Sequence, residues 1–181
     1  MKKKTITFIL ILIVSLFTLM AREPGDAESL VLNLEGHYVI PGLIDAHVHI
    51  SHMSAEELRM VLSWALKGGI TAVRDMGGDV RKLAALRRDA LLHEIESPYI
   101  YYSAVMGGPT FFTDFRAVGA SLGETPGKLP WLRAITPSTD IRQAIAEAKG
   151  SGAAGIKIYA NLPEEEIQRI AAEGHKQGLK I

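Results

Sequence analysis

The chain has 181 residues, 20 basic and 20 acidic side chains, no cysteine and 48% hydrophobic residues, the composition of about one globular domain. Its charge balance implies neither nucleic acid nor a charged membrane surface as a partner. Without cysteine it has no disulfides, no thiolate ligands and no lipid-modified cysteine, so any metal must be held by His, Asp, Glu or Lys.

Lys2, Lys3 and Lys4 precede an apolar run over residues 6–21. That run is short for a spanning helix, which takes roughly 20 apolar residues, and it reads as an export signal. Cleavage is expected after Ala21 or after Ala27, where Gly25 and Ala27 give the small-x-small pattern. The expectation is an exported chain, periplasmic or secreted, with no stable membrane association once the signal is removed. The alternative is an uncleaved single-span anchor.

Residues 29–34 alternate weakly, and residues 38–50 are mostly apolar but broken by Pro41-Gly42. This predicts a short strand, a turn and a buried strand over 43–49. Ser54 and Glu57 form a capping box ahead of Leu58, Val61, Leu62, Ala65 and Leu66, a helical stripe that stops at Gly68-Gly69. The unit then recurs, with a strand over 70–74, a turn at Gly77-Gly78 and a helix capped by Asp79 that carries Leu83, Leu86, Ala90 and Leu91.

A third strand over 99–105 follows Pro98. Residues 106–137, rich in Gly, Pro and aromatics, are too long for an ordinary connection and predict a functional loop or lid. Its Phe111, Phe112, Phe115 and Trp131 either cover a site or pack the loop onto the body. Ser138 or Thr139 is expected to cap a helix with Ile141, Ala144, Ile145 and Ala148. A fourth strand over 154–160 leads to Pro163 at a helix start, with Glu164, Glu165 and Glu166 suited to the positive end of the dipole. Residues 179–181 begin a fifth strand. Strands alternating with helices mean a parallel α/β architecture, and neither GxGxxG nor GxxxxGK[ST] is present. A (β/α)8 TIM barrel is the expected fold.

Strand alternation puts Asp45, His47 and His49 on one face and Ile44, Ala46 and Val48 on the other. Two imidazoles at the C-terminal end of a barrel strand suit Zn²⁺, although the spacing alone also fits two hydrogen-bonded polar residues. Lys157 shares a strand face with Tyr159, opposite Ile156 and Ile158. Facing a barrel interior, its ammonium is costly and its pKa falls. The neutral amine can take up CO₂ as a carbamate or form a Schiff base, or the ammonium can reach solvent at the strand mouth. Asp45 is expected to support a ligand or bond the neighbouring turn, and Arg74 and Asp75, at the second strand's mouth, are expected to pair with each other or to bind substrate. Arg81, Lys82, Arg87 and Arg88 read as a solvated helix face. His52 is expected on a loop, and His37, His93 and His175 on loop or helix surface.

Pro41-Gly42-Leu43-Ile44-Asp45-Ala46-His47-Val48-His49 resembles the PGxIDxHxH signature of the amidohydrolase superfamily. Residues 69–75 (GITAVRD) and 155–159 (GIKIY) resemble the second and fourth strands of its imidazolonepropionase-like and Xaa-Pro or Xaa-Lys/Arg dipeptidase-like members. The likeness covers nearly all the chain after the signal. It implies one or two divalent metal ions, Zn²⁺ first, with His47 and His49 as ligands and carboxylated Lys157 as a bridging ligand. It also implies hydrolysis of amide-like C–N bonds in a small-molecule or small-peptide substrate, small peptides or N-acyl amino acids ahead of cyclic amides.

The same pattern asks for histidines on strands five and six and an aspartate on strand eight, which these 181 residues do not contain, so no catalytic residue is expected in the chain. The expected organisation is a signal over 1–27, a remnant of a small β domain over 28–40 and a truncated barrel over 41–181, holding about the first four β/α units. Such a truncated or fragmentary member is expected to be inactive alone, with an open sheet edge and an apolar face that favour homo-oligomers. The rival expectation is a non-catalytic exported half-barrel that binds metal or dimerises. A Schiff-base barrel built on Lys157 would leave the paired histidines without a purpose.

Overall fold

The computed structural model describes residues 31–181; the expected signal lies outside them. Residues 31–40 form one turn at Glu35-Gly36, where the His37 N–H donates to the Leu34 carbonyl at 2.9 Å. None of these ten residues is in a strand, so the alternation over 31–34 produces no ladder.

From Pro41 onward strands and helices alternate: β1 (Leu43–Val48), α1 (Ala55–Lys67), β2 (Ile70–Asp75), α2 (Val80–Leu91), β3 (Tyr99–Gly107), a 3₁₀ turn (Pro109–Thr113), α3 (Phe115–Gly119), β4 (Lys128–Leu129), β5 (Leu132–Ala134), α4 (Ile141–Gly150), β6 (Gly155–Tyr159) and α5 (Glu164–Lys176). β1, β2, β3 and β6 lie side by side and parallel. Beyond β6, Lys180 forms a single parallel bridge to Gly155, the start of the predicted next strand.

The helices begin where side chains take up their first N–H groups. Ser54 Oγ accepts from the Glu57 N–H, and Glu57 returns the bond to the Ser54 N–H at 2.8 Å, the reciprocal pair that satisfies two otherwise orphaned donors. Asp79 caps α2 through the Arg81 N–H. The cap of α4 is Asp140, which accepts from the Gln143 N–H at 3.1 Å, and not Ser138 or Thr139. Thr139 Oγ1 is engaged by the Thr136 N–H at 2.9 Å, which leaves Asp140 as the cap.

Each helix lays its apolar stripe on one face of the sheet: Leu58 and Leu62 from α1, Leu83 and Ala90 from α2, Ile141, Ala144, Ile145 and Ala148 from α4, Ile170 from α5. Ile100, Tyr102, Ala104 and Met106 of β3 meet them, all buried. Burying one such leucine or isoleucine contributes about 1.5–3 kcal/mol. On the opposite face the register aligns Ile44 with Ala72, Ala72 with Tyr99 and Arg74 with Tyr101. Ile44, Tyr99 and Tyr101 there are 69%, 53% and 44% exposed, so among the described residues no helix covers this side.

The long segment after β3 is ordered rather than structureless. β5 adds parallel to the last three residues of β3 and β4 folds back antiparallel on it, while β6 takes the other edge of the same stretch. Val105 N–H donates to the Trp131 carbonyl at 2.8 Å, and Ile135 N–H to the Gly107 carbonyl at 2.9 Å. Among the described residues no helix is long and apolar enough to cross a membrane.

Candidate functional site

β1 ends in His47 and His49, whose rings lie 5.3 Å apart, edge to face. Both are exposed at the C-terminal mouth of the sheet. His49 Nδ1 is 3.3 Å from the Gly77 carbonyl. A carbonyl only accepts, so that nitrogen carries the proton and Nε2 keeps its lone pair.

The expectation that Asp45 shares their face is corrected by the register. Asp45 pairs with Val73 and Val48 with Asp75, with an irregularity between them. Val73 and Asp75 are two residues apart in regular β2 and so face the same way, which puts Asp45 and Val48 on one side and His49 on the other. The Asp45 carboxylate instead accepts from the His47 N–H at 3.2 Å.

Arg74 and Asp75 do not pair either, because they point to opposite faces of β2. Arg74 Nε donates to the Ala46 carbonyl at 2.9 Å. Asp75 is fully buried, accepting from the Ile50 N–H at 2.7 Å through Oδ2 and from the Gly77 N–H at 2.9 Å through Oδ1. This is neither of the roles that the sequence suggests for it, a partner of Arg74 or a substrate-binding group. The available signal was its place two residues before a glycine at a strand end, where an aspartate bonds the backbone of its own turn. Gly77 has φ +136°, and a Cβ there would lie 2.8 Å from Val105 Cγ2 and 3.9 Å from His49 Cε1.

Val105 ties Lys157 to the same mouth. It aligns with Lys157 in the β3–β6 register, so the lysine projects on the face of the sheet from which Val105 Cγ2 approaches Gly77. Ile156 is buried on the opposite face, as alternation requires. Lys157 is half-buried, with its Nζ 4.7 Å from the centre of the Tyr159 ring. Burial, and then the positive charge of Arg116, push its pKa below the usual lysine value, while the Asp75 carboxylate opposes them. Among the described residues no group of three or more His, Asp or Glu side chains gathers as a metal would need. The donors brought to this mouth are two imidazoles and a lysine.

The segment after β3 is stitched to β6 and the turn beyond it. Gly108 N–H donates to the Ala160 carbonyl at 2.8 Å, Asn161 Nδ2 to Thr110 Oγ1 at 2.9 Å, and the Phe111 and Tyr159 rings meet at 4.9 Å. A Cβ on Gly108 would come within 2.4 Å of the Asn161 carbonyl oxygen. Ala160 and Asn161 both take positive φ there, +41° and +55°. Phe112 and Trp131 are buried packing residues, whereas Phe115 is 81% exposed.

Arg116, absent from the sequence reading, forks onto Asp114 at 2.9 and 2.7 Å, and this holds the Asp114 carboxyl down at about 2. The basic face of α2 is only partly solvated. Arg81 forks onto Asp79, reaches the Ser121 carbonyl and lies over the Trp131 ring at 5.3 Å, and Lys82 donates to the Ser51 and Met53 carbonyls. His52 lies exposed on the loop after β1 and outside this network, and His37, His93 and His175 are also exposed.

Parallel β/α units with their polar side chains gathered at the C-terminal ends of the strands define a barrel-type enzyme scaffold. The sequence profile of the amidohydrolase family matches residues 38–181, and the chain belongs to that family. Comparison with curated proteins gives no match.

Among solved structures, an uncharacterised protein is 22% identical with a TM-score of 0.62, over 87% of this chain and 46% of its own. Aspergillus niger ochratoxinase is 21% identical with a TM-score of 0.58, over 76% and 41%. A Xaa-Pro dipeptidase with methionine bound in its active site is 18% identical with a TM-score of 0.58, over 83% and 46%. At these identities the likeness is one of fold. The chain spans less than half the length of each, so the α/β sheet corresponds to roughly half of an amidohydrolase TIM barrel.

Proposed function

We propose that these residues form the first metal-binding half of a hydrolase acting on amide-like C–N bonds, with His47 and His49 as ligands of one divalent ion, Zn²⁺ first, and Lys157, carboxylated, as the bridge to a second. The observation that carries the reading is the pair of imidazoles 5.3 Å apart, with His49 Nδ1 committed to the Gly77 carbonyl. A histidine whose other nitrogen is bonded in this way is set up to donate through Nε2. The donor types suit the ion, since imidazole nitrogen is a usual zinc donor and a carbamate would add oxygen donors, but among the described residues they make a partial ligand set and not a complete one. When bound, the metal lowers the pKa of water and polarises a carbonyl.

The chain's own residues do the rest. Burial and the charge of Arg116 lower the Lys157 pKa, which favours the neutral amine that carboxylation needs. The lid, tied to β6 at Gly108, Thr110 and Phe111, walls one side of the mouth. Exposed Phe115 there suits an apolar group of a small peptide or N-acyl amino acid. Within this reading the residues present supply metal ligands and a wall of the mouth, and the strand-five and strand-six histidines and the strand-eight aspartate of the family pattern are not among these 181 residues. Residues 1–27 direct export to the periplasm or beyond, which the mass of the exported protein checks.

Calorimetric titration of the purified chain with Zn²⁺ tests the reading. We expect stoichiometric binding that His47→Ala or His49→Ala abolishes, and a carbamate signal from ¹³C-bicarbonate that Lys157→Met removes. Binding unchanged in the histidine variants would sink it. A second reading, a non-catalytic exported half-barrel that dimerises, is favoured by exposed Ile44, Tyr99 and Tyr101. Concentration-dependent dimers by sedimentation, with no histidine-dependent metal uptake, would select it.

A further inference from the structure

We propose that Asp75 is the positioning residue of this site, its buried carboxylate fixing the Gly77 carbonyl against His49 Nδ1 so that His49 presents Nε2 to the metal. The inference rests on the metal reading above and adds to it the device that sets the ligand's tautomer and direction.

The bonds close a ring. Asp75 Oδ1 accepts from Gly77 N–H at 2.9 Å, the Gly77 carbonyl meets His49 Nδ1 at 3.3 Å, His49 is joined to Ile50, and Ile50 N–H returns to Asp75 Oδ2 at 2.7 Å. Two points of the loop that follows β1, one backbone and one imidazole, are thus referred to a single carboxylate on β2. Met76 N–H, between Asp75 and Gly77, donates to the Val48 carbonyl at 3.0 Å and fixes the same two strand ends.

The charge is the informative part. Asp75 has no accessible surface, and among the described residues no Lys, Arg or His forms an ion pair with it. Asp79, four residues on and also buried, is paired with Arg81. Two N–H groups could be held by a neutral amide or hydroxyl oxygen at lower desolvation cost, since a buried carboxylate is expensive unless something positive compensates it. A cation held at the mouth by His49 supplies that compensation.

The test compares the purified wild-type chain with Asp75→Asn, and with Asp79→Asn as a control for general damage at the same loop. Two readouts are taken: Zn²⁺ affinity by calorimetry, and the protonated ring nitrogen of His49 by long-range ¹H–¹⁵N spectra of the metal-free chain above the histidine titration range. We expect Nδ1–H at His49 in the wild type, a mixed tautomer in Asp75→Asn, and roughly 10–100-fold weaker Zn²⁺ binding in that variant. Asp79→Asn is expected to lower the melting temperature while leaving both readouts unchanged.

Affinity within twofold of wild type in Asp75→Asn, or an unchanged tautomer, overturns the proposal. If Asp75→Asn does not fold, the wild-type spectrum decides, Nδ1–H supporting the assignment and Nε2–H overturning it. A wild-type chain that takes up no Zn²⁺ overturns the metal reading instead, and the tautomer still decides whether Asp75 orders His49.

Discussion

Replacing Gly77 with alanine puts two separable strains on the same residue, and a double-mutant cycle measures one of them. At φ +136° an L side chain costs about 1–3 kcal/mol. The new methyl would also stand 2.8 Å from Cγ2 of Val105, which is buried and has no room to swing away. Overpacking of that kind costs about 1–3 kcal/mol more. The single variant should therefore lose about 2–6 kcal/mol, a large share of the stability of a domain this size.

Val105→Ala alone should lose about 2 kcal/mol of burial, but it removes the atom that the Gly77→Ala methyl strikes. The double variant should then be more stable than the two losses added together, by the overpacking part, about 1–3 kcal/mol. Urea unfolding of the metal-free chain followed by circular dichroism, with unchanged m-values, gives all four corners of the cycle. Losses that add to within about 0.5 kcal/mol would refute the claim that Val105 and Gly77 meet, and with it the link between the face carrying Lys157 and the Gly77 turn.

Ser54→Ala removes one half of the reciprocal cap of α1 and should cost about 1 kcal/mol in the same unfolding assay; a neutral result would mean that the cap is idle. The Asp114 carboxyl, held down first by the Arg116 side chain and then by the Arg116 N–H, should titrate by NMR near about 2. Because the folded value is depressed, whatever this pair adds to stability is in place above the ordinary aspartate range and fades as the pH falls toward about 2. Arg116→Gln should return the midpoint toward the ordinary value, and an unmoved midpoint would exclude the guanidinium as its main cause.

What the sequence made legible follows from how far apart the interacting residues lie. The Ser54–Glu57 box, the Asp79 cap and the stripes of α1, α2 and α4 are local patterns, and the helices form where those patterns put them. The alternation that sets Lys157 opposite Ile156 also holds, because β6 is regular throughout its pairing with β3. In β1 the same rule fails for Asp45, since alternation assumes an even register and β1 slips between Asp45 and Val48. A slip of one residue reverses the facing of everything beyond it.

Asp75 was misread for a different reason. One of its partners, the Ile50 N–H, is 25 residues earlier in the chain, and a backbone donor carries no residue-type signature. The long segment after β3 stood out by length and composition, but its hairpin did not, because β4 and β5 are two and three residues long and owe their extended form to β3.

The hairpin also bears on how such a site could be remade. Val105 serves two neighbours at once, its backbone donating to the Trp131 carbonyl of the lid and its side chain lying against Gly77. A change in the rungs formed by residues 132–134 is therefore transmitted through β3 to the wall beside His49. Residues 123–125, at the exposed tip beyond the carbonyls of Ser121 and Leu122 that Arg81 holds, are laddered to no strand. A library confined to that tip could vary what an incoming molecule meets first while leaving the wall intact, whereas an insertion between Leu129 and Leu132 would unzip the edge of β3 that the hairpin completes.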